Sequence, residues 1–261
     1  MSSAPVFVER HDRTAVVIIN RPELRNALDA ATIALLRDRL RELESDADVR
    51  VVVLTGQGDK AFIAGADIGE LAARTMHTEL GERSRLMRDA CTLLETMGKP
   101  TIAAINGVAA GGGCELALAC DMRVMANSAR IGLPEINLGI FPGGGGTQRL
   151  LRLCGRGVAA ELIMTGRLIG GDDALRLGLV NRVVDGAALM PTVLELAGQI
   201  ATKSPFALAM VKDALRAAAN MSQVDGILYE NKLFALCMET GDKREGVDAF
   251  LAKRTPLFKG T

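Results

Sequence analysis

The stretch I-A-A-I-N-G-V-A-A-G-G-G-C-E-L-A-L-A-C-D, Ile102 to Asp121, constrains this chain more than any other. Thr101 to Ile105 is an apolar run of the length of a buried strand, and Cys114 to Cys120 has the apolar density of a buried helix. Gly111, Gly112 and Gly113 join them, and a lone carboxylate, Glu115, stands where the helix begins. Burying an unpaired carboxylate is costly, and glycines ahead of a helix leave backbone N–H groups open to a ligand. The combination predicts an anion-stabilising loop beside an acid or base.

The flanking sequence repeats the same grammar. Val6 to Glu9 and Thr14 to Asn20 read as a hairpin around the polar turn Arg10 to Arg13. From Asp29, a plausible N-cap, apolar residues recur at Ile33, Leu36, Leu40 and Leu43, which is helical spacing. Val51 to Thr55 is again a buried strand. Gly56 to Ile68 is a glycine-punctuated loop holding a small apolar cluster, and Gly69 to Gly81 is weakly patterned, its order left open by the residues. A helix carrying Met87, Ala90, Leu94 and Met97 on one face precedes the break at Lys99-Pro100. Strand and helix alternate, the pattern of an α/β layered fold.

Beyond Asp121, Met122 to Ala126 and Ala129 to Gly132 read as short strands, and Gly143 to Gly146 forms a second glycine cluster. Helical patterns follow at Thr147 to Leu153, Val158 to Thr165 and Asp172 to Leu177, with a last strand at Val180 to Val184. From Ala187 on the chain is helical: about Leu189 to Ala201, Pro205 to Ala219, Ser222 to Glu239 and Lys243 to Lys253. Ser204-Pro205 is a strong helix start. Met87, Met97, Met164 and Met210 read as core.

Lys plus Arg and Asp plus Glu are 31 each, so overall charge provides no reason to expect nucleic acid or an acidic membrane as partner. No apolar run reaches the ~20 residues of a membrane span. The N-terminal M-S-S-A-P-V-F-V-E-R-H-D-R lacks a leader's apolar core, so a cytoplasmic protein is expected. The five cysteines form no C-x-x-C pair and no metal-like spacing with His11 and His77, which predicts reduced thiols and no metal site.

Nucleotide motifs fail in both glycine clusters: neither is followed by the Lys and hydroxyl of a P-loop, and neither has Rossmann spacing. An oxyanion hole needs only rigid backbone donors, here from Gly65-Ala66-Asp67 and Gly111-Gly112-Gly113, although tight packing turns explain either loop equally well. Glu115 and Glu135 stand in apolar or glycine contexts. They read either as an acid–base pair, or as a helix-terminus cap and an arginine partner respectively. Asp67 and Asp121 read as turn or ion-pair residues. No Ser occupies a G-x-S-x-G elbow.

Three motifs, A-F-I-A-G-A-D-I (61–68), the central stretch (102–121) and I-G-L-P-E-I-N-L-G-I-F-P-G-G-G-G-T-Q-R-L (131–150), closely resemble the enoyl-CoA hydratase/isomerase, or crotonase, family. N-R-P-E-L-R-N-A-L (20–28) and the tail 244–259 resemble it too, so the likeness spans nearly the whole chain. It implies an α/β fold, a crotonase-like spiral of ββα units with a C-terminal helical region. Residues 1–200 would form the spiral core with the CoA and active sites, and 201–261 a trimerisation region.

The resemblance further implies a homotrimer or dimer of trimers acting on an acyl-CoA thioester, with no prosthetic group and no nucleic-acid or membrane partner. The N–H groups of Ala66 and Gly112 would hold the thioester oxygen. Glu115 and Glu135 would add water to a trans-2-enoyl-CoA, with Gly143 helping to place that water. CoA would lie along Arg25, Ala27, Ala64, Asp67 and Ile68, and Phe250 and Lys253 would reach a neighbouring subunit's CoA. Gly69 departs from relatives that carry Lys there. Double-bond isomerisation or another enolate-forming lyase reaction is the alternative within the fold. An RNA-binding or scaffold role, known among relatives, finds no basic-aromatic run here.

Overall fold

The Val- and Ile-rich runs are buried along their whole length because they are central strands of a largely parallel sheet, covered on both faces. The structure, a computed structural model, describes residues 4–261 apart from the side chains at 82 and 83. Met1 to Ser3 of the stretch read for a leader therefore lie outside the described residues.

Strands β1 (Val6–His11) and β2 (Thr14–Ile19) form the opening hairpin. Helix α1 (Ala30–Ser45) starts at Asp29, whose carboxylate accepts the Thr32 N–H at 2.7 Å. Then come β3 (Val51–Gly56), β4 (Ala61–Ile63), α2 (Ile68–Ala72), α3 (Met76–Glu79) and α4 (Glu82–Thr96). The central stretch supplies β5 (Thr101–Ile105), β6 (Val108–Ala110) and α5 (Gly112–Ala119), followed by β7 (Met122–Ala126) and β8 (Ile131–Gly132). Next are α6 (Gly146–Thr165), α7 (Gly171–Arg176), β9 (Arg182–Val184), α8 (Leu189–Ala201), α9 (Pro205–Ala218), α10 (Gln223–Met238) and α11 (Gly241–Leu251).

The larger sheet has the order β1-β2-β3-β5-β7-β9 and the smaller one β4-β6-β8. Apart from the β1–β2 hairpin, the strand-to-strand ladders among the described residues are parallel, and Ile131 of β8 also makes an isolated antiparallel bridge with Ile169. From β3, β5 and β7 in turn the chain passes from the large sheet to a short strand of the small one and then to a helix. This is the expected spiral of ββα units. The large sheet is covered by α1, which buries Ile33, Leu36, Leu40 and Leu43, and by α8, which buries Leu189, Val193 and Ala197.

Some expectations change. β4 and β6 lie where no strand signal was read, being too short to show alternation. Gly69 to Gly81 holds two short helices, α2 and α3, set by the side-chain caps of Asp67 and Thr75 rather than by apolar periodicity. The two helices expected at 147–165 form one run broken at Gly155, where φ is 76°. Met164 is not core: it is 75% exposed at the outer end of α6, where helical spacing alone cannot tell which face is covered.

Two contacts lock α5 and the tail into this frame. A Cβ added to Gly113 would lie 2.0 Å from the Ile63 carbonyl oxygen, so α5 rests directly on β4. Buried Lys212 of α9 donates to the Leu94 and Lys99 carbonyls at 2.7 and 3.0 Å and pairs with Asp121 at 2.8 Å. Asp121 in turn accepts the Thr101 N–H at 2.8 Å.

Opposite responses to the same chemical change are expected. Gly113→Ala should lose ~1–3 kcal/mol of stability through overpacking. Gly198→Ala, inside α8 with open space around it, should gain ~0.5–1 kcal/mol from helix propensity. Denaturant unfolding of both variants checks the pair.

Candidate active site

The small sheet decides where the candidate residues meet. Its parallel register sets Ile63 beside Ala109 and Ala110 beside Gly132, so β4, β6 and β8 run out at one edge. The residues that follow them include Ala66, Gly112 and Glu135. The carboxyl ends of parallel strands are where open α/β sheets bind ligands.

Each loop offers a main-chain donor. The Leu28 N–H donates to the Gly65 carbonyl at 2.8 Å, and the Asp67 N–H donates to the Leu28 carbonyl at 2.9 Å. This is a parallel bridge between Leu28 and Ala66, in which the flanking peptides face the partner and the Ala66 N–H points the other way. Gly112 opens α5, so its N–H has no partner within the helix. A Cβ on Gly65 would lie 3.3 Å from the Ala110 oxygen, so the two loops abut. Adjacent rigid N–H groups of this kind can stabilise an oxyanion.

The two glutamates are held very differently. Glu115, only 4% exposed, accepts the N–H groups of Gly144 and Gly146 on Oε1 at 2.7 and 2.8 Å. Burial raises its pKa above the ordinary carboxylate range, opposed by those two N–H groups and the nearby Arg149 charge. Half-buried Glu135 begins a 3-10 turn, Glu135–Leu138. Among the described residues, its Oε2 is buried without a hydrogen-bond partner. Burial pushes its pKa up to about 7, and the Glu115 charge adds to the effect. Glu115 is therefore held by a separate loop rather than capping its own helix, and among the described residues no arginine pairs with Glu135.

Sequence reasoning passed over three contributors. Gly144 and Gly146 are the donors to Glu115, and a Cβ on Gly144 would fall 2.5 Å from Glu115 Oε2, so only glycine fits there. The four-glycine run was the available signal, but the family resemblance carried over only Gly143, which is exposed with nothing within 4 Å of its Cβ position. Met87, read as core, comes within 3.5 Å of a Cβ built on Gly112 and 3.1 Å of one on Gly144. It packs between the donor loop and the loop that holds Glu115.

The loops expected to hold CoA are laced together. Arg25, at φ 51°, accepts the Ala64 N–H at 3.1 Å, and Arg21 donates to the Ala27 carbonyl at 2.7 Å. Arg21 also pairs with Asp29 at 3.0 Å and Asp67 at 3.4 Å. Asp67 caps α2 through the Gly69 and Glu70 N–H groups, and Ile68 beside it is exposed. Phe250 and Lys253 stand apart from this cluster at the end of α11, with Phe250 83% exposed and the Lys253 N–H bonded to the Phe250 carbonyl.

Comparison with known proteins decides the family. A family model described as enoyl-CoA hydratase/isomerase matches residues 9–261. The chain belongs to the enoyl-CoA hydratase/isomerase family. It is 42% identical to a short-chain-enoyl-CoA hydratase of Clostridium acetobutylicum, with 95% of each chain covered. It is also 42% identical to a crotonyl-CoA hydratase of Syntrophomonas wolfei, with 99% of each covered. The crystal structure of an enoyl-CoA hydratase from Bacillus anthracis superimposes with a TM-score of 0.95 at 39% identity, covering 99% of this chain and 100% of that one. The fold of this family member is thus the crotonase fold.

The electrostatics of the pair can be read directly. Carbon-13 NMR of labelled glutamate should find a carboxyl titrating at about 7. That signal should vanish in Glu135→Gln and move to lower pH in Glu115→Gln, which removes the neighbouring charge.

Proposed function

We propose that the chain is an enoyl-CoA hydratase that adds water across the 2,3 double bond of a trans-2-enoyl-CoA to give a 3-hydroxyacyl-CoA. The observation that carries the reading is the unequal carboxylate pair beside two abutting N–H loops. Glu115 takes a proton from water as the water oxygen bonds to C3. Charge moves onto the thioester oxygen, where the Ala66 and Gly112 N–H groups stabilise it. Glu135, protonated near neutral pH, delivers its proton to C2, and proton exchange with solvent resets both groups. The Gly143 N–H helps to place the water. The names and identities of the relatives support this activity.

The thioester supplies the activation, so the reaction calls for no prosthetic group. CoA lies along Arg25, Ala27, Ala64, Asp67 and Ile68. Residues 201–261 act as a trimerisation region, giving a trimer or dimer of trimers in which Phe250 and Lys253 reach a neighbour's CoA. Exposed Val211, Leu215, Ile227, Leu228 and Phe234, all on the paired helices α9 and α10, support such an interface, since large apolar side chains gathered on one region mark association sites. No helix among the described residues is long and apolar enough to cross a membrane. A cytoplasmic location fits the free cysteines of the chain.

Isomerisation of a 3-enoyl-CoA needs the same oxyanion donors but only one shuttling carboxylate, so the presence of a second carboxyl group favours hydration. Purified protein should hydrate crotonyl-CoA faster than it isomerises a 3-enoyl-CoA. Glu115→Gln and Glu135→Gln should each lower hydration by ~10²–10⁴-fold while remaining folded. Near-parental rates in both variants would overturn the assignment. In the parent, kcat/KM should fall as pH rises through about 7, where Glu135 loses its proton, and fall again at low pH as Glu115 gains one. Sedimentation velocity should report a trimer or hexamer.

A further inference from the structure

Glu115 hangs on Gly144 and Gly146, so whatever fixes that loop fixes the carboxylate. Arg149, in the first turns of α6, donates from Nη1 to the Gly144 carbonyl at 2.7 Å. Its Nε and Nη2 donate to Glu95 Oε1 and Oε2 at 2.6 and 2.9 Å. Gly144 is therefore held from both sides, by Glu115 on its N–H and by Arg149 on its carbonyl. The Arg149 side chain is 15% exposed, and Glu95 lies on α4, the helix that carries Met87 into the site. A two-pronged arginine–carboxylate pair has a fixed plane, which a lysine or a neutral side chain cannot reproduce.

We propose that Arg149 is a positioning residue for the hydration reaction: oriented by Glu95, its guanidinium fixes the Gly144 peptide and, through it, the angle at which Glu115 meets water. The proposal rests on the reading of Glu115 as base. Arg149 also acts through its charge, which opposes the rise that burial imposes on Glu115. The other titratable groups near Glu115 among the described residues are Cys91 and Glu95 on α4, Cys114 on α5 and Glu135 beyond β8. Burial holds the Cys91 thiol at about 12 and raises Cys114 well above its ordinary value, so both stay neutral. Arg149 is then the cation of this group, set among the carboxyl groups of Glu115, Glu95 and Glu135.

Charge and geometry separate in three variants. Arg149→Gln removes both the plane and the charge: kcat on crotonyl-CoA should fall ~10²-fold, the cost of misplacing a reacting group by about 1 Å. KM should stay within about threefold, because CoA contacts lie elsewhere, and the acid limb of the pH profile should move to higher pH. Arg149→Lys keeps the charge, so its acid limb should stay in place while kcat remains below the parent. Glu95→Gln disorients the guanidinium but removes a negative charge, so kcat should fall while the acid limb stays or moves to lower pH.

A merely structural loss would lower all three without this split. Thermal melting and sedimentation establish that each variant is folded and assembled. If Arg149→Gln fails to fold, the Lys and Glu95 variants decide by the same criteria. Carbon-13 titration of Glu115 adds a readout free of turnover: its pKa should rise in Arg149→Gln. Parental kcat and an unmoved acid limb in folded variants, with Glu115→Gln inactive, overturn the role of Arg149 alone. An active Glu115→Gln overturns the reading of the site instead.

Discussion

Parallel pairing of three very short strands is the constraint from which the site follows. Strands β4, β6 and β8 are only two or three residues long, yet their register forces three distant parts of the chain to leave the sheet at one edge. In a parallel ladder the carboxyl ends of neighbouring strands share a side, so the loops after them meet regardless of sequence separation. The buried core runs through both sheets and the helices on them, and α5, pressed against Ile63, ties the loops to the small sheet. Rigid main-chain donors suit developing negative charge because they need no reorganisation as the charge forms.

Much of this was legible in the residues, and the limits have physical causes. The four tail helices were readable because their apolar residues recur at helical spacing and Ser204 caps α9. The central strand and helix were readable because both are buried throughout. β4 and β6 escaped because a three-residue strand has no period to detect and is stabilised by partners far along the chain. α2 and α3 escaped for a related reason: single caps on short, exposed segments fix them. Met164 shows the reverse error, an apolar residue whose periodicity was right and whose covering surface was assumed.

For the candidate site, glycine context singled out both glutamates, but their difference in character was not visible. Whether a buried carboxylate is a base or an acid depends on how many donors face it. Glu115 has two N–H groups from a loop beginning twenty-nine residues later, a relation no local pattern encodes. Glu135 has a buried oxygen with none. One environment favours the anion relative to equally deep burial without donors, and the other favours the acid.

Lys212 bears on how separable the chain is. It fills the gap between the end of α4, the approach to β5 and the exit of α5 with a single ammonium that satisfies two carbonyls and one carboxylate. Losing it would take a charged donor from all three acceptors, of which the Leu94 carbonyl and Asp121 would keep Thr101 as a second donor. The tail is thus a plug set into the spiral rather than a detachable module. A chimera that exchanged the last helices for those of a relative would have to carry an ammonium to the same point, or redesign the groove that receives it.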